Sequence, residues 1–141
     1  MAYCSDDDLL KMIPSPELAE LTAESGEVPD LAVILDAIAK AAAEIDAYLA
    51  VRYVLPLTEV PAQVKHLAVD LAIYHLYSRR GMMLEIRGKN YDKAMAFLKD
   101  VAAGRAEIIG ASGAELPGDA GDVTEVSSSA RVFDRTKMRG F

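Results

Sequence analysis

His66 and Asp70 stand four residues apart in a run that reads as helix, so both project from one face, as a base and its orienting carboxylate would. His75 is nine residues beyond His66 and points elsewhere. Two histidines that bind a metal from one helix need a spacing of three or four, and no third ligand is evident. The pair therefore reads as a local ion pair or hydrogen bond. Gly88 and Lys89 invite comparison with a phosphate-binding loop. Gly81 lies seven residues before Gly88 instead of five, however, and Asn90 stands where Ser or Thr would hold magnesium. Ser112 in "GASGA" lacks the second glycine of a nucleophile elbow. Cys4 has acids close by, which raise a thiol pKa and blunt its reactivity, so it reads as a small apolar contact.

The densest set of polar groups in an apolar setting is in "AEIDAYLAVRYVLPL", residues 43–57, where Asp46, Tyr48, Arg52 and Tyr53 stand among alanines and leucines. Tyr48 and Arg52 are four apart on the apolar stripe, so a ring and an aliphatic stem can seal the core edge while their polar tips reach water. Asp46 adjoins that stripe and is costly to bury unpaired, so Arg52, Arg79, Lys65 or a tyrosine hydroxyl is expected to satisfy it. These four residues, with Asp70 and Tyr74 on the next helix, read as structural fittings, with subunit contact as the alternative.

The elements that position them are helical. Ser5 with three aspartates caps a short helix ended by Pro14, and Ser15-Pro16-Glu17 opens a second. Asp30 caps a long helix whose stripe runs through Leu31, Ile34, Leu35, Ile38, Ala41, Ala42, Ile45, Tyr48, Leu49 and Arg52. From Asp30 to Val54 it would be about 37 Å long at about 1.5 Å per residue. Pro56 and Pro61 stop it. Residues 62–80 form a central helix, apolar nearly all round and ended by Gly81. After a loop "MMLEIRGK", Asn90 caps a third amphipathic helix with Tyr91, Ala94, Met95, Leu98, Val101 and Ala102 inward and Gly104 as its stop. The expected fold class is all-α: a small bundle of two long helices, a third amphipathic helix and short N-terminal helices. Residues 1–104 form the helical domain, and residues 105–141 an extended interaction tail. "DVTEVSSSARVF" within that tail has the β-branched content of a short strand.

No run reaches the roughly 18 apolar residues of a membrane span, and "MAYCSDDDLL" is acidic where a signal peptide would be basic. One cysteine permits no internal disulfide, which suits a reducing cytoplasm. No cofactor is expected. The net charge of −7 is concentrated at the front: residues 1–40 hold nine acids against Lys11 and Lys40. The last eleven residues reverse the sign, with Arg131, Arg135, Lys137 and Arg139 against Asp134.

The segments "MAYCSDDDLLKMIP", "AEIDAYLAVRYVLPL", "VPAQVKHLAVDLAIYHLYSRR", "YDKAMAFLKDVAAGR" and "RVFDRTKMRGF", in this order and spacing, together resemble the Mu-like phage neck family of tailed phages and prophages. The resemblance covers nearly the whole chain. It implies a head-tail connector, or head-completion adaptor, without enzymatic activity. Such a protein assembles as a homo-oligomeric ring on the portal protein and docks downstream neck or tail proteins. DNA passes through its lumen without specific binding, and no membrane is involved. The implied location is the host cytoplasm during assembly and then the virion neck. Arg131, Val132, Phe133, Arg135, Met138, Arg139 and Phe141 look like an arm that lies on a neighbouring subunit or on the portal, ordering when the ring forms. A ring repeats one heterologous interface, and a chain acidic in front and basic behind has complementary patches for it.

The rival reading is a small helical nucleic-acid-binding or regulatory protein that uses Arg131–Arg139. Net acidity opposes it, because tight binding requires cations that displace phosphate counterions. In a filter-binding salt titration the full chain is therefore expected to retain duplex DNA weakly and with a shallow salt slope; a steep one would favour the rival.

Overall fold

A computed structural model describes residues 2–109. Five helices are found there: α1 (Asp6–Met12), α2 (Ser15–Thr22), α3 (Leu31–Leu49), α4 (Ala62–Arg79) and α5 (Glu85–Ala102). The described residues form an all-α fold, as expected.

Local signals set most of the boundaries. Asp8 turns back on Ser5, its Oδ2 accepting from the Ser5 amide and hydroxyl, each at 3.0 Å. The Asp30 carboxylate accepts from the Ala32 amide at 3.0 Å and starts α3. Gly81 adopts φ +68°, the left-handed conformation that glycine takes without penalty. There its amide reaches the Ser78 carbonyl at 3.0 Å and that of Met82 reaches Tyr77 at 3.1 Å, a Schellman closure of α4. Gly104 closes α5 in the same way, with φ +82° and amides of Gly104 and Arg105 bonded to Val101 and Asp100.

Three boundaries differ from expectation. Pro14 takes the cap position of α2 and Ser15 is already helical. The segment expected as a loop, 82–89, is half helix: α5 begins at Glu85, and Asn90 lies inside it. An acid in the first turn and the Glu85–Lys89 pair at 2.6 Å favour that early start, against a cost of roughly 1 kcal/mol for helical Gly88. Conversely α3 stops at Leu49, about 28 Å long at about 1.5 Å per residue. The amides of Arg52 and Tyr53 both fold back to the Leu49 carbonyl, so that Tyr53 enters the core.

Helix α4 packs against all four others, and α3 and α5 also touch each other. Val64, Leu71, Ala72, Ile73, Leu76 and Tyr77 of α4 are essentially inaccessible, with Ile45 and Leu49 from α3, Leu98 and Val101 from α5, and Leu9, Leu18 and Leu21 from the short helices. The three long helices alternate in direction. Arg52, just past the end of α3, bonds to carbonyls at the end of α5, and Arg79 and Arg80, ending α4, bond to the stretch that leads into α3. The molecule thus has two poles, one at the C-terminal ends of α3 and α5, the other at the C-terminal end of α4. The packed body continues past Gly104 to the fully buried Ile108. Of the tail expected at 105–141, residues 105–109 run along the packed body, and 110–141, with the expected strand, lie outside the described residues.

The expected α3 stripe is too wide. Leu31 and Leu35 are about half exposed, and Leu35 forms one wall of a shallow groove of about 250 Å³ with Ala39, Ala42 and Ala43. The buried face of α3 is Ile34, Ala37, Ile38, Ala41, Ala42, Ile45 and Leu49. Leu98→Ala should accordingly lower unfolding free energy by about 2–5 kcal/mol in urea titration, whereas Leu35→Ala should cost less than about 1 kcal/mol.

Candidate interaction surfaces

At the pole where α3 and α5 end, the four polar groups of residues 43–57 are fittings of different kinds. Arg52 is not on the α3 stripe. It lies in the turn beyond the helix, where Nη1 donates to the carbonyls of Val101 at 3.2 Å and Ala106 at 3.1 Å. Val101 is in the last turn of α5, where carbonyls lack the usual i+4 amide, and Ala106 lies beyond the helix; a guanidinium supplies both with donors of fixed direction. Its carbon sits 5.8 Å from the centre of the Tyr53 ring. Tyr53 is buried, and its hydroxyl accepts from the Ile108 amide at 3.2 Å, which pins the chain after α5. Asp46 is satisfied by a tyrosine hydroxyl, that of Tyr3, so the N-terminal strand of chain is tied to α3. Burial first, and then the Asp46 carboxylate, raises the Tyr3 pKa above its ordinary value. Tyr48 is half-buried at the core edge.

His66 and Asp70 do not pair. Among the described residues no ion pair links them, and His66 is exposed. Burial pushes the Asp70 carboxyl upward, opposed first by the charge of Arg87 from α5 and then by His66. His75 instead meets Glu44 across the α3–α4 interface, Nε2 to Oε1 at 2.7 Å but out of line for a hydrogen bond. Beside them Tyr74 and Tyr91 stack with ring centres 3.8 Å apart and planes 17° apart. Burial, with Glu44 next in effect, raises the Tyr91 pKa. Glu44 lacked any sequence signal for this, because its partner is thirty-one positions away on another helix.

Asp8 is the most strongly perturbed carboxylate of the N-terminal region. The Ser5 amide first, aided by Lys65 and the Ser5 hydroxyl, outweighs burial and lowers its pKa to about 2. Lys65 lies 3.2 Å and Lys11 3.4 Å from Oδ1. Cys4 beside it is buried, and that burial, then Asp8, raises the thiol to about 11 against the pull of Lys65. Lys89 faces Glu85 on α5, so the Gly88–Lys89 pair is helix surface. Among the described residues no three His, Cys, Asp or Glu side chains converge to hold a metal, and no helix is long and apolar enough to cross a membrane.

The opposite pole carries a concavity of about 770 Å³ between α2, the 23–27 turn and the end of α4. Arg80 lines one side, its guanidinium donating from Nε to the Leu21 carbonyl at 3.2 Å and from Nη2 to that of Ala23. Thr22 completes the connection, its hydroxyl donating to the Leu18 carbonyl at 2.7 Å and accepting from the Asp30 amide at 2.9 Å. Pro16, Ala19, Ala23 and Met82 give the groove apolar walls, and Glu20, Glu24 and Glu27 ring it with carboxylates. All three glutamates are exposed and none is in an ion pair among the described residues. Glu20 is on α2 and Glu24 and Glu27 lie in the turn that follows, so the fold and not helical spacing brings them together. Met82, Met83, Leu84 and Ile86 stand exposed next to it. The expected interface residues Arg131, Val132, Phe133, Arg135, Met138, Arg139 and Phe141 lie outside the described residues.

These features define an all-α protein of helices packed around one central rod, with its pronounced surface relief at the poles. The chain belongs to the Bacteriophage Mu, Gp36 family, whose model matches residues 3–126. It is 33% identical over 144 residues to "Gene product J" of Escherichia phage Mu, covering 100% of this chain and 99% of that protein. It is also 28% identical over 140 residues to "Mu-like prophage FluMu protein gp36" of Haemophilus influenzae, covering 99% of this chain and 97% of the relative. The resemblance to Mu-like phage proteins is thereby borne out over the full length.

The Asp8 carboxylate has a folded pKa below its unfolded value, so it stabilises the fold above about pH 4 and ceases to as pH falls through about 2. Asp8→Asn should cost about 1 kcal/mol at pH 7 and flatten the loss of stability between about pH 4 and 2, read by urea titration at each pH.

Proposed function

We propose that this protein is a structural head-tail connector of a Mu-like phage or prophage: a neck adaptor that forms a homo-oligomeric ring on the portal and docks the next neck or tail component. The observation that carries this reading is an acidic, apolar-walled groove at one end of a packed helical body whose described chain ends at the other. The acidic groove and the exposed Met82–Ile86 stretch lie at one pole, and the chain leaves Ile109 towards its basic end at the other. A subunit with two different ends joins its copies head to tail, and such an interface closes into a ring when the rotation permits. Full-length similarity to proteins of phage Mu and of a Mu-like prophage supports a role in phage structure or assembly.

In this reading the protein has no catalytic activity. It resides in the host cytoplasm until assembly and in the virion neck thereafter, and DNA crosses the ring without being held. An acidic surface favours that passage, because phosphates are repelled by carboxylates and leave no counterions to release.

The test is genetic. A phage or inducible prophage that encodes this chain, with the gene interrupted, should accumulate DNA-filled heads and free tails that fail to join in electron micrographs. Infectious titre should fall by several orders of magnitude and return when the protein is supplied in trans. Normal virions without the gene product would end the proposal.

A further inference from the structure

We propose that the acidic groove at the α2–α4 pole receives the C-terminal segment, residues 131–141, of a neighbouring copy of this chain. The inference rests on the connector reading and names the contact that would link one subunit to the next. The groove offers Glu20, Glu24 and Glu27 around apolar Ala19, Ala23 and Met82. Its own cation, Arg80, is held by the backbone carbonyls of Leu21 and Ala23 and offsets only one of the three carboxylates, so the rim stays net negative. The C-terminal segment has the opposite composition: Arg131, Arg135, Lys137 and Arg139 against one acid, interspersed with Val132, Phe133, Met138 and Phe141. Carboxylates around an apolar floor and cations around apolar side chains are matched in both charge and hydropathy.

The connector reading, in which copies repeat one interface, selects a second copy as the source, and the reach of the chain permits it. The chain leaves the described body at Ile109, held by Tyr53 at the pole where α3 ends, whereas the groove lies where α3 begins. The two points are therefore separated by about the length of α3, about 28 Å. Twenty-one residues, 110–130, separate Ile109 from the basic segment, a reach of up to about 70 Å, so a neighbour placed end to end is accessible. Each copy then fills one groove and offers one segment, the condition for a repeating heterologous interface.

Full-length variants test this. A labelled peptide of residues 130–141 is titrated by fluorescence anisotropy into the Arg131→Glu/Arg135→Glu/Arg139→Glu chain, whose own segment no longer competes. Binding is expected, weakened at least tenfold by about 0.5 M salt. It should weaken at least tenfold again when Glu20→Lys, Glu24→Lys and Glu27→Lys are added. Circular dichroism verifies that the variants remain helical. In sedimentation velocity, the groove-reversed and the segment-reversed chains are then mixed. The mixture should form a larger species that neither forms alone at the same concentration, because each now has a charge-matched partner only in the other. Absence of peptide binding, or binding indifferent to the groove substitutions, overturns the inference. Peptide binding without mixed assembly overturns the neighbour as donor, since it places the segment in its own groove. If either failure coincides with unjoined heads and tails in the gene-interrupted phage, the connector reading stands and only this contact falls.

Discussion

The fold depends on one constraint: α4 is apolar on nearly every side and must be enclosed, so every other element is arranged to cover it. Enclosing such a rod brings the ends of the surrounding helices against their neighbours. Their unpaired carbonyls then need donors from within the chain. Arginines meet that need at both poles. Arg52 reaches the last carbonyls of α5, and Arg79 and Arg80 reach the carbonyl end of α2. These contacts are long-range in sequence, and each joins a long helix to a segment that packs beside it. Tyrosines play the same part along the flanks: Tyr3 holds Asp46, and Tyr77 on α4 donates to Glu17 on α2.

With polar fittings consumed inside the body, the outward features are few and unevenly placed. The flank between α3, α4 and α5 has an aromatic and ionic cluster of His75, Glu44, Tyr74 and Tyr91, in which the tyrosine rings stack and the imidazole faces the carboxylate. Nothing in that cluster aligns a nucleophile with a base, and its residues serve to join three helices. The groove is different, since its three glutamates have no cationic partner among the described residues while its walls are apolar. A surface of that kind is costly to leave uncovered only in its apolar part, so it tolerates solvent in a free subunit and gains from a basic partner. That property is what the proposed connector role asks of a subunit before assembly.

Much of this was legible along the chain because the signals are local. Ser5, Asp30, Gly81 and Gly104 act within three or four residues of themselves, and the boundaries they mark were placed correctly. The inner line of α3 and the all-round apolarity of α4 follow from side-chain spacing. The misplaced boundaries have local causes of a subtler sort. Gly88 and Asn90 looked like punctuation, yet Glu85 and Lys89 together with the buried Ala94–Leu98 face extend α5 backward through both. Arg52 fitted the α3 stripe by spacing alone, and nothing nearby announced that α5 would offer it carbonyls. Leu31 and Leu35 fitted too, and are exposed because no element passes over them.

The amino-acid order by itself determined the helical class, the central rod, the capped starts and glycine-closed ends, and the kinship with Mu-like phage proteins, because these depend on side-chain type at short spacing. Tertiary packing alone decided the partners of Asp46, Arg52, Glu44 and Arg80, the failure of His66 to meet Asp70, and the gathering of Glu20, Glu24 and Glu27 around an apolar floor. Those outcomes turn on which segments the enclosure of α4 brings within a few ångströms of each other, a distance that sequence spacing does not encode.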